Sequence, residues 1–539
     1  MTTKIEVVDD QAIQFSTLTP EIVLRTIPTA TVIEAGELRS KVSVPWDYKS
    51  MQTLAYLGLP YLSPITRDYD FSGPYEPKPH QLLICNLATM HNRGYCFADM
   101  GMGKTASFIW AAAYLSQLGL VNRILVVCPK VVMRAAWMHE LAMLLPYDTV
   151  AILDGSAAAR KRKMDKHAKW DIVNYDGVEV LHEQLALRDY DLIIVDESTM
   201  IKNPSTKRWQ HLDKVTSRSQ RVWLLTASPT PQGPMDAFGQ LRLLSPESVP
   251  RDYYAFRNMV MRMGRPGFET RSGKKVPPEW VAKDDANDIL KRFFIPALRL
   301  DKRDWAKDLP PVCDMYLEVP LSTEQDAALT ALKKQVIKLA VESEEVAGAI
   351  INKIYQISSG CVYTHDDTGV RGVVEYDMQP KVDAVIELIE EAKARHVGGF
   401  VGGKTLIYVS HRHVCDYLTR CLESKYRVGK VVGGSSDRSD ILRAFETTDE
   451  YEVIVAVSSA MSHGVTAIAA NTMIWFTPAP STEVFIQAGE RTDRIGQKQD
   501  GRRYYLFSSA VERERHEHLQ RGTAVQNEML TLYKTFIEE

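Results

Sequence analysis

Short apolar runs alternate with segments of helical spacing over two stretches of the chain. In the first, from Lys78 to about Pro246, the apolar runs predict strands at 95–98, 123–128, 171–174, 191–196 and 221–226. In the second, from about Lys404 to Ser509, they predict strands at 405–410, 427–432, 452–457, 472–476 and 503–507. Strands that alternate with helices are typical of parallel sheets covered by helices. The pattern therefore predicts an α/β fold with two parallel-sheet lobes.

The other segments have different patterns. Residues 324–357 carry apolar side chains at helical spacing, so we expect helical insertions between the lobes. A polar loop at 365–369 follows, and the glycines of 398–403 predict a mobile loop that opens the second lobe. We expect five segments: an N-terminal accessory segment without a recognisable motif (1–75), a first lobe (76–250), a helical region (251–380), a second lobe (381–515) and a C-terminal helix (516–539).

Composition narrows the class of protein. A chain of 539 residues is too long for one hydrophobic core, and its 45% hydrophobic and 25% charged residues are ordinary for a globular protein. No apolar stretch reaches the length of a membrane span, and the N-terminus is too acidic for a signal peptide. The seven cysteines form no Cys-x-x-Cys pair, which favours free thiols in a reducing compartment over disulfides or a zinc site. We expect a cytoplasmic protein without a membrane partner.

The net charge of −3 predicts no global attraction to nucleic acid, although a local basic stripe would suffice for binding. The densest basic run is Arg160–Lys163, and a second basic-leaning region extends from Arg265 to Lys307. For the first run we favour a solvated helix face over a binding surface.

The most informative motif is a glycine-rich loop between a predicted strand and a predicted helix. Its residues are Ala98, Asp99, Met100, Gly101, Met102, Gly103, Lys104 and Thr105. Glycines let the backbone N–H groups approach phosphate oxygens, Lys104 offsets the β/γ charge, and the Thr105 hydroxyl is a ligand for Mg²⁺. Because Ala98 stands where such a loop usually begins with Gly, the motif alone is suggestive. In its strand–loop–helix context it predicts a site for ATP and Mg²⁺.

An acidic pair follows the apolar run 192–195. A buried strand there would deliver Asp196 to the metal and Glu197 to the attacking water as general base. An acidic pair after a strand is often only the start of a solvated loop. The pair indicates a catalytic site here because it occurs together with the glycine-rich loop at 98–105.

Two arginines, Arg491 and Arg494, are three residues apart and would share one face of a helix. An arginine supplied by a second lobe can stabilise the charge that develops on a transferred phosphoryl group. The alternative is a helix face salt-bridged through Glu490 and Asp493.

A series of motifs resembles superfamily 2 helicases, and specifically their Swi/Snf-type branch of ATP-dependent DNA translocases, over about residues 76–515. The stretches that carry the resemblance, in the family's order, are Pro79-His80-Gln81, Val126–Pro129 with Trp137 and Glu140, Asp196–Asn203, Leu225–Gln232, Leu298–Lys302 with Leu309–Pro311, Leu406–Ser410, Gly433–Ser436, Ser458–Gly464 and Gln487–Gln497.

The resemblance implies two RecA-like P-loop lobes that close around ATP, with Gln81 reading the adenine. It also implies movement along DNA, mainly duplex or branched, through phosphate contacts of little sequence specificity. This movement would serve replication, repair, recombination or protein–DNA remodelling. We expect a monomer and a compact prokaryotic or viral member, in the host cytoplasm if viral.

Three departures from the family's pattern stand out. Ser198 replaces the usual His of the Asp-Glu box, which would alter its link to the coupling motif at 225–232. In that motif Ala227-Ser228 replace Gly-Thr, and 461–464 differ from the family's Gly-Gly-Leu-Gly. Two alternatives stay open: a strand-separating DNA or RNA helicase of a sister branch, and a scaffold that binds ATP without hydrolysis. Loss of Lys104, Glu197 or Arg494 would mark the scaffold, and all three are present.

Overall fold

The computed structural model describes residues 4–71, 73–130, 132–269, 275–276, 278–305, 310–336, 344–365, 371–395, 403–435, 437–461, 467–493, 497 and 499–521. The chain divides into two compact units, one formed by residues 1–230, 234–260 and 284–305 and the other by residues 231–233, 261–283 and 306–539.

The first unit begins with an antiparallel sheet that the sequence analysis did not predict. Its strands lie side by side in the order Glu6–Val8, Ala12–Thr17, Ser40–Pro45, Thr31–Glu34. Along Ala12–Thr17 and Ser40–Pro45 buried and partly exposed residues alternate, because successive side chains of a strand point to opposite faces. The buried face packs with the helices Pro20–Thr26 and Tyr48–Tyr56 into one small core.

The main sheet of the first unit has seven parallel strands. In spatial order they are Ala297–Leu300, Arg93–Ala98, Arg221–Thr226, Leu192–Asp196, Ile124–Cys128, Trp170–Asn174 and Val150–Ile152. Five of these strands match the predicted ones. The edge strand Ala297–Leu300 lies in the region predicted to be helical, and it is too short and too exposed on one side to show a clear pattern.

Helices surround this sheet. They are Ile65–Asp68, Pro79–Met90, Lys104–Gln117, His139–Leu144, Ala157–Met164, Tyr175–Ala186, Lys207–Thr216, Ala237–Leu244, Tyr253–Val260, Ala286–Phe293 and Lys302–Trp305. The unit also contains a π-helical turn, Met133–Met138, and two 3₁₀ turns, Ser198–Ile201 and Pro234–Asp236. The helix Lys104–Gln117 is buried along nearly its whole length, since strands and helices cover it on every side.

The second unit is built on six parallel strands. Their spatial order is Val312–Glu318, Gly501–Phe507, Ala470–Trp475, Lys404–Val409, Val453–Val457 and Val428–Val431. The five strands predicted for the second lobe are all present. Val312–Glu318 was not predicted. The two parallel sheets confirm the predicted α/β fold class.

The helices of the second unit are Thr323–Val336, Glu344–Ser358, Gln379–Arg395, Arg412–Leu422, Arg438–Thr447, Ser458–Met461, Thr482–Gly489 and Ala510–Arg521. Small antiparallel hairpins pair Met261–Arg265 with Glu279–Ala282, Phe268–Glu269 with Lys275–Val276, and Cys361–His365 with Arg371–Glu375. The region between the lobes is therefore helical in part and also contains hairpins. The predicted loops at 366–369 and 398–402 and the end of the C-terminal helix, 522–539, lie outside the described residues.

Candidate nucleotide-binding site

Three motifs meet at the carboxyl edge of the first parallel sheet. The strands that end in Ala98 and Asp196 each pair with the strand that ends in Thr226, so the coupling motif lies between the glycine-rich loop and the acidic pair. In open parallel sheets this edge is where ligands bind. The sheet thus brings together residues that are far apart in sequence.

The glycine-rich loop has the backbone of a phosphate cradle. Gly101 and Gly103 adopt φ values of 79° and 71°, a region that favours glycine. The helix that starts at Lys104 directs its free N–H groups and its positive dipole end toward the loop. Loop and helix together have a geometry that favours an anion at this position.

Lys104 lies inside this loop. Its ammonium group donates hydrogen bonds to the carbonyl oxygens of Ala98 and Asp99, the latter at 3.2 Å. These partners are neutral, so the positive charge remains available to an anion. Met102 is buried beneath the loop, whereas Gly101 is exposed at its tip.

Asp99 contacts a segment that sequence reasoning did not include in the site. Its carboxylate accepts hydrogen bonds from Arg299 at 3.1 Å and from the backbone N–H of Lys302 at 2.9 Å. Arg299 also donates to the carbonyl of Ala227 in the coupling motif. The carboxylate of Asp99 therefore supports the loop instead of facing the phosphates. The sequence signal for Arg299 was its place in the Leu298–Lys302 motif.

Gln81 packs on the glycine-rich loop. The φ of Gly103 favours glycine, and a Cβ atom added there would displace the Gln81 amide, which shows how closely Gln81 approaches the loop. The Oε1 atom of Gln81 accepts from the backbone N–H of Lys78 at 2.8 Å, which fixes the amide at the start of its helix. The imidazole of His80 lies 5.9 Å from the ring of Trp305, which is 40% exposed.

Asp196 ends its strand beside Trp137. The indole N–H of Trp137 donates to the Asp196 carboxylate at 2.9 Å. Burial raises the pKa of Asp196, and the Trp137 hydrogen bond and the charge of Lys104 oppose that rise. A cation bound here would stabilise the ionised carboxylate.

Glu197 has a strained backbone. Its φ of 61° and ψ of 54° lie in the left-handed region, which a non-glycine residue rarely adopts. Oε1 of Glu197 accepts hydrogen bonds from Thr199 and Thr226, both at 3.3 Å. The turn directs the carboxylate toward the coupling motif and away from the continuation of the strand.

The donor set fits a magnesium ion. Mg²⁺ prefers oxygen ligands and usually keeps several waters while it binds one or two protein groups and substrate phosphates. The Thr105 hydroxyl and the Asp196 carboxylate are such groups. Within the part of the chain that the structure describes, no group of three or more His, Cys, Asp or Glu could hold a metal.

The arginine motif belongs to the second unit. Its preceding helix ends at Gly489, and Arg491 lies in a turn, where its N–H donates to the carbonyl of Ala488 at 3.2 Å. The predicted placement of Arg491 on a helix is therefore wrong. The side chain of Arg491 is buried, and Asp493 pairs with Arg503 at 3.7 Å. Arg494 and residues 462–464 lie outside the described residues.

The basic run at 160–163 is partly structural. Arg160 donates to the carbonyl of Leu153 at 3.0 Å and to the side chain of Asn174 at 2.9 Å, and Lys163 pairs with Asp154. Arg162 and its neighbour at 161 are exposed. Residues 161 and 162 therefore lie on the solvated helix face that we favoured, whereas Arg160 and Lys163 hold the helix against neighbouring segments.

The fold and the loop define a two-lobed P-loop α/β protein. The model of the SNF2-related domain family matches residues 49–363, more than half of the chain, and the helicase conserved C-terminal domain matches residues 380–496. The chain belongs to the SNF2-related family. This confirms the predicted family and the helicase-type class of its domains.

Relatives occur in phage and in animals. A putative protein p41 of Acyrthosiphon pisum secondary endosymbiont phage 1 is 30% identical over 54% of this chain and 65% of that protein. The Xenopus tropicalis SWI/SNF-related matrix-associated actin-dependent regulator of chromatin subfamily A-like protein 1 is 24% identical over 77% of this chain and 40% of that protein. The chain thus spans about 40 to 65% of the length of these relatives.

Among solved structures, the Sulfolobus solfataricus SWI2/SNF2 ATPase core in complex with dsDNA matches with a TM-score of 0.40 and 20% identity, over 84% of this chain and 93% of that one. Across the described residues, no helix is both long and apolar enough to cross a membrane.

Proposed function

We propose that the protein is a DNA-stimulated ATPase that moves along duplex DNA. The observation that carries the proposal is the meeting of the glycine-rich loop, the Asp196–Glu197 pair and the coupling motif at one sheet edge. A passive scaffold has no need of a strained Glu197 beside a phosphate cradle. The family's two domains support coupling of this chemistry to nucleic acid.

The proposed roles follow from position. Backbone N–H groups of the loop and Lys104 hold the β- and γ-phosphates, and Gln81 reads the base. Thr105 and Asp196 would hold Mg²⁺, which when bound neutralises charge on the phosphate oxygens. Glu197 orients and deprotonates the attacking water. Arg494, with Arg491, stabilises the transferred phosphoryl group from the second unit.

The proposed DNA contacts are to phosphates. Binding should then weaken steeply with salt and depend little on sequence, because neutralising phosphates releases counterions. The protein is proposed to act as a monomer on duplex or branched DNA in replication, repair, recombination or protein–DNA remodelling, in the cytoplasm of a cell or host.

A steady-state ATPase assay tests the proposal, with equal nucleotide concentrations of duplex, single-stranded, forked and four-way DNA and of RNA. Stimulation by duplex or branched DNA, absent from a Lys104→Ala control, is expected. Stimulation by RNA or by single strands alone would assign the chain to a strand-separating branch. ATP binding without turnover under all conditions would make it a scaffold.

A further inference from the structure

One buried side chain joins the acidic pair's segment to the coupling motif. Gln240, on the helix Ala237–Leu244, is fully buried. Its Oε1 accepts a hydrogen bond from the hydroxyl of Ser198 at 2.7 Å, and its Nε2 donates to the carbonyl of Pro229 at 2.7 Å and to that of Asp236 at 3.0 Å.

The neighbours of this amide determine its orientation. The carbonyls of Pro229 and Asp236 can accept but cannot donate, so the NH₂ group must face them. Oε1 is then left for Ser198, whose hydroxyl must donate to it. Both hydrogens of the NH₂ group and the carbonyl oxygen are used, as a buried polar group requires.

The helix that carries Gln240 is tied to the acidic segment through its backbone. The N–H of Gly239 donates to the carbonyl of Lys202 at 3.0 Å. A Cβ atom on Gly239 would lie 2.2 Å from the carbonyl oxygen of Ile201. This close approach allows little sliding between the helix and residues 201–202. If Pro229 moves relative to Ser198, either the hydrogen bonds of Gln240 break or Gln240 moves with its partners.

A second connection between the two motifs is weaker. The Thr226 hydroxyl lies 3.3 Å from both the Glu197 carboxylate and the carbonyl of Ser228, so one hydroxyl hydrogen is divided between two acceptors. The Gln240 connection has separate donors at shorter distances.

We propose that Gln240 is the positioning residue through which the state of the acidic pair is transmitted to the coupling motif. Ser198 has a short side chain. Gln240 makes the link to the coupling motif that a longer side chain at position 198 could make directly. The side chain of Gln240 is fully buried, so we do not expect it to contact nucleotide or DNA, and its loss should separate hydrolysis from stimulation. The inference rests on the proposed function, because stimulation by DNA is what the connection serves.

The test compares Gln240→Leu, Ser198→Ala and the double variant with wild type. Leucine keeps the approximate volume and removes the hydrogen bonds. DNA-stimulated kcat should fall about tenfold, the equivalent of one lost buried hydrogen bond. Basal kcat and the KM for ATP should change by less than about threefold. The double variant should lose no more than the worse single one, because the two side chains act as one unit.

Gln210→Leu, an exposed glutamine on the helix Lys207–Thr216, is the matched control and should behave as wild type. Ser198→Ala removes only one oxygen atom. If Gln240→Leu lowers the melting temperature, Ser198→Ala is the variant that tests the inference. Full stimulation in Ser198→Ala, or an equal fall of basal and stimulated rates in both variants, would overturn the inference. A wild-type enzyme that DNA does not stimulate would overturn the proposed function itself.

Discussion

Helices flank both parallel sheets, yet the charged groups at the candidate site of the first sheet and in the core of the second have different partners. In the first unit, Lys104 is bound by backbone carbonyls and Asp196 by an indole N–H. In the second, Lys381 and Glu512 are buried and lie 3.1 Å apart, and the N–H of Ser508 also donates to the Glu512 carboxylate at 2.8 Å. At the glycine-rich loop the charge of Lys104 stays available to a charged substrate, whereas the Lys381–Glu512 pair, like the buried Arg188–Asp171 pair of the first unit, holds elements of the fold together.

The charged residues of the candidate site and the Lys381–Glu512 pair thus have different purposes in similar folds. Lys381 also donates to the carbonyl of Ser358 at 3.1 Å, so the pair joins the helices Glu344–Ser358, Gln379–Arg395 and Ala510–Arg521. Breaking such a pair leaves an uncompensated buried charge, which destabilises the fold. Removing the charge of Lys104 or Asp196 should affect the reaction more than the fold.

The largest expected effect concerns the first unit. Glu197→Gln should preserve ATP binding and lower kcat by roughly 10²- to 10⁴-fold, because an amide cannot accept the proton of the attacking water. Single-turnover kinetics and nucleotide binding, measured separately, check this. Normal turnover in Glu197→Gln would place the general base elsewhere. Glu179→Gln, on an exposed helix position of the same unit, is the control.

Next in size is the arginine of the second unit. Arg494→Ala should leave ATP binding nearly intact and cut turnover roughly 10³-fold, as for an arginine that stabilises a phosphoryl group. DNA stimulation should vanish with it. An Arg494→Ala enzyme that duplex DNA still stimulates would show that the arginine motif has only a structural role. The second unit would then contribute no catalytic group from this motif.

The ion pair of the second unit should matter for stability. Glu512→Gln is expected to lower the free energy of unfolding by about 3–5 kcal/mol, because Lys381 stays buried without a counter-charge. Glu517→Gln on the same helix, which removes exposed pairs with Arg513 and Arg521, should cost under about 1 kcal/mol. Denaturant unfolding of both variants measures the contrast. Equal losses would mean that the buried pair is not special.

A further effect, spread over several pH units, is a pH dependence in the second unit. Burial lowers the pKa of His516 to about 3, and its Nε2–H donates to the carbonyl of Leu506 at 3.2 Å. The unfolded chain has an ordinary histidine pKa near 6.5, so it binds the proton first as the pH falls. Stability from the neutral ring is complete above pH ~6.5 and is lost toward pH ~3, at up to about 1.4 kcal/mol per pH unit.

His516→Gln keeps an N–H donor and does not titrate, so its stability should fall less steeply between pH ~6.5 and ~4 than that of wild type. His139→Gln, at an exposed position of the first unit, should leave the slope unchanged. Thermal unfolding over this pH range measures both. A wild-type slope in His516→Gln would mean that other groups control acid unfolding.

Sequence patterns succeeded where burial was complete. The strands Ile124–Cys128 and Leu192–Asp196 are apolar on both faces, which gives an unmistakable run. The strand Ala297–Leu300 is half exposed and four residues long, so neither length nor period revealed it. The N-terminal strands did carry an alternating pattern, with Ile13 and Phe15 buried, but nothing in the motifs drew attention to it.

The sequence by itself determined the two α/β lobes, the family and the residue types of the glycine-rich loop and the acidic pair, because local spacing and chemistry encode them. Tertiary structure decided which residues support that chemistry. Asp99 turns to Arg299, 200 positions away, and Ser198 reaches Pro229 through Gln240. Strand order places these partners side by side, and strand order depends on long-range packing that no local pattern records.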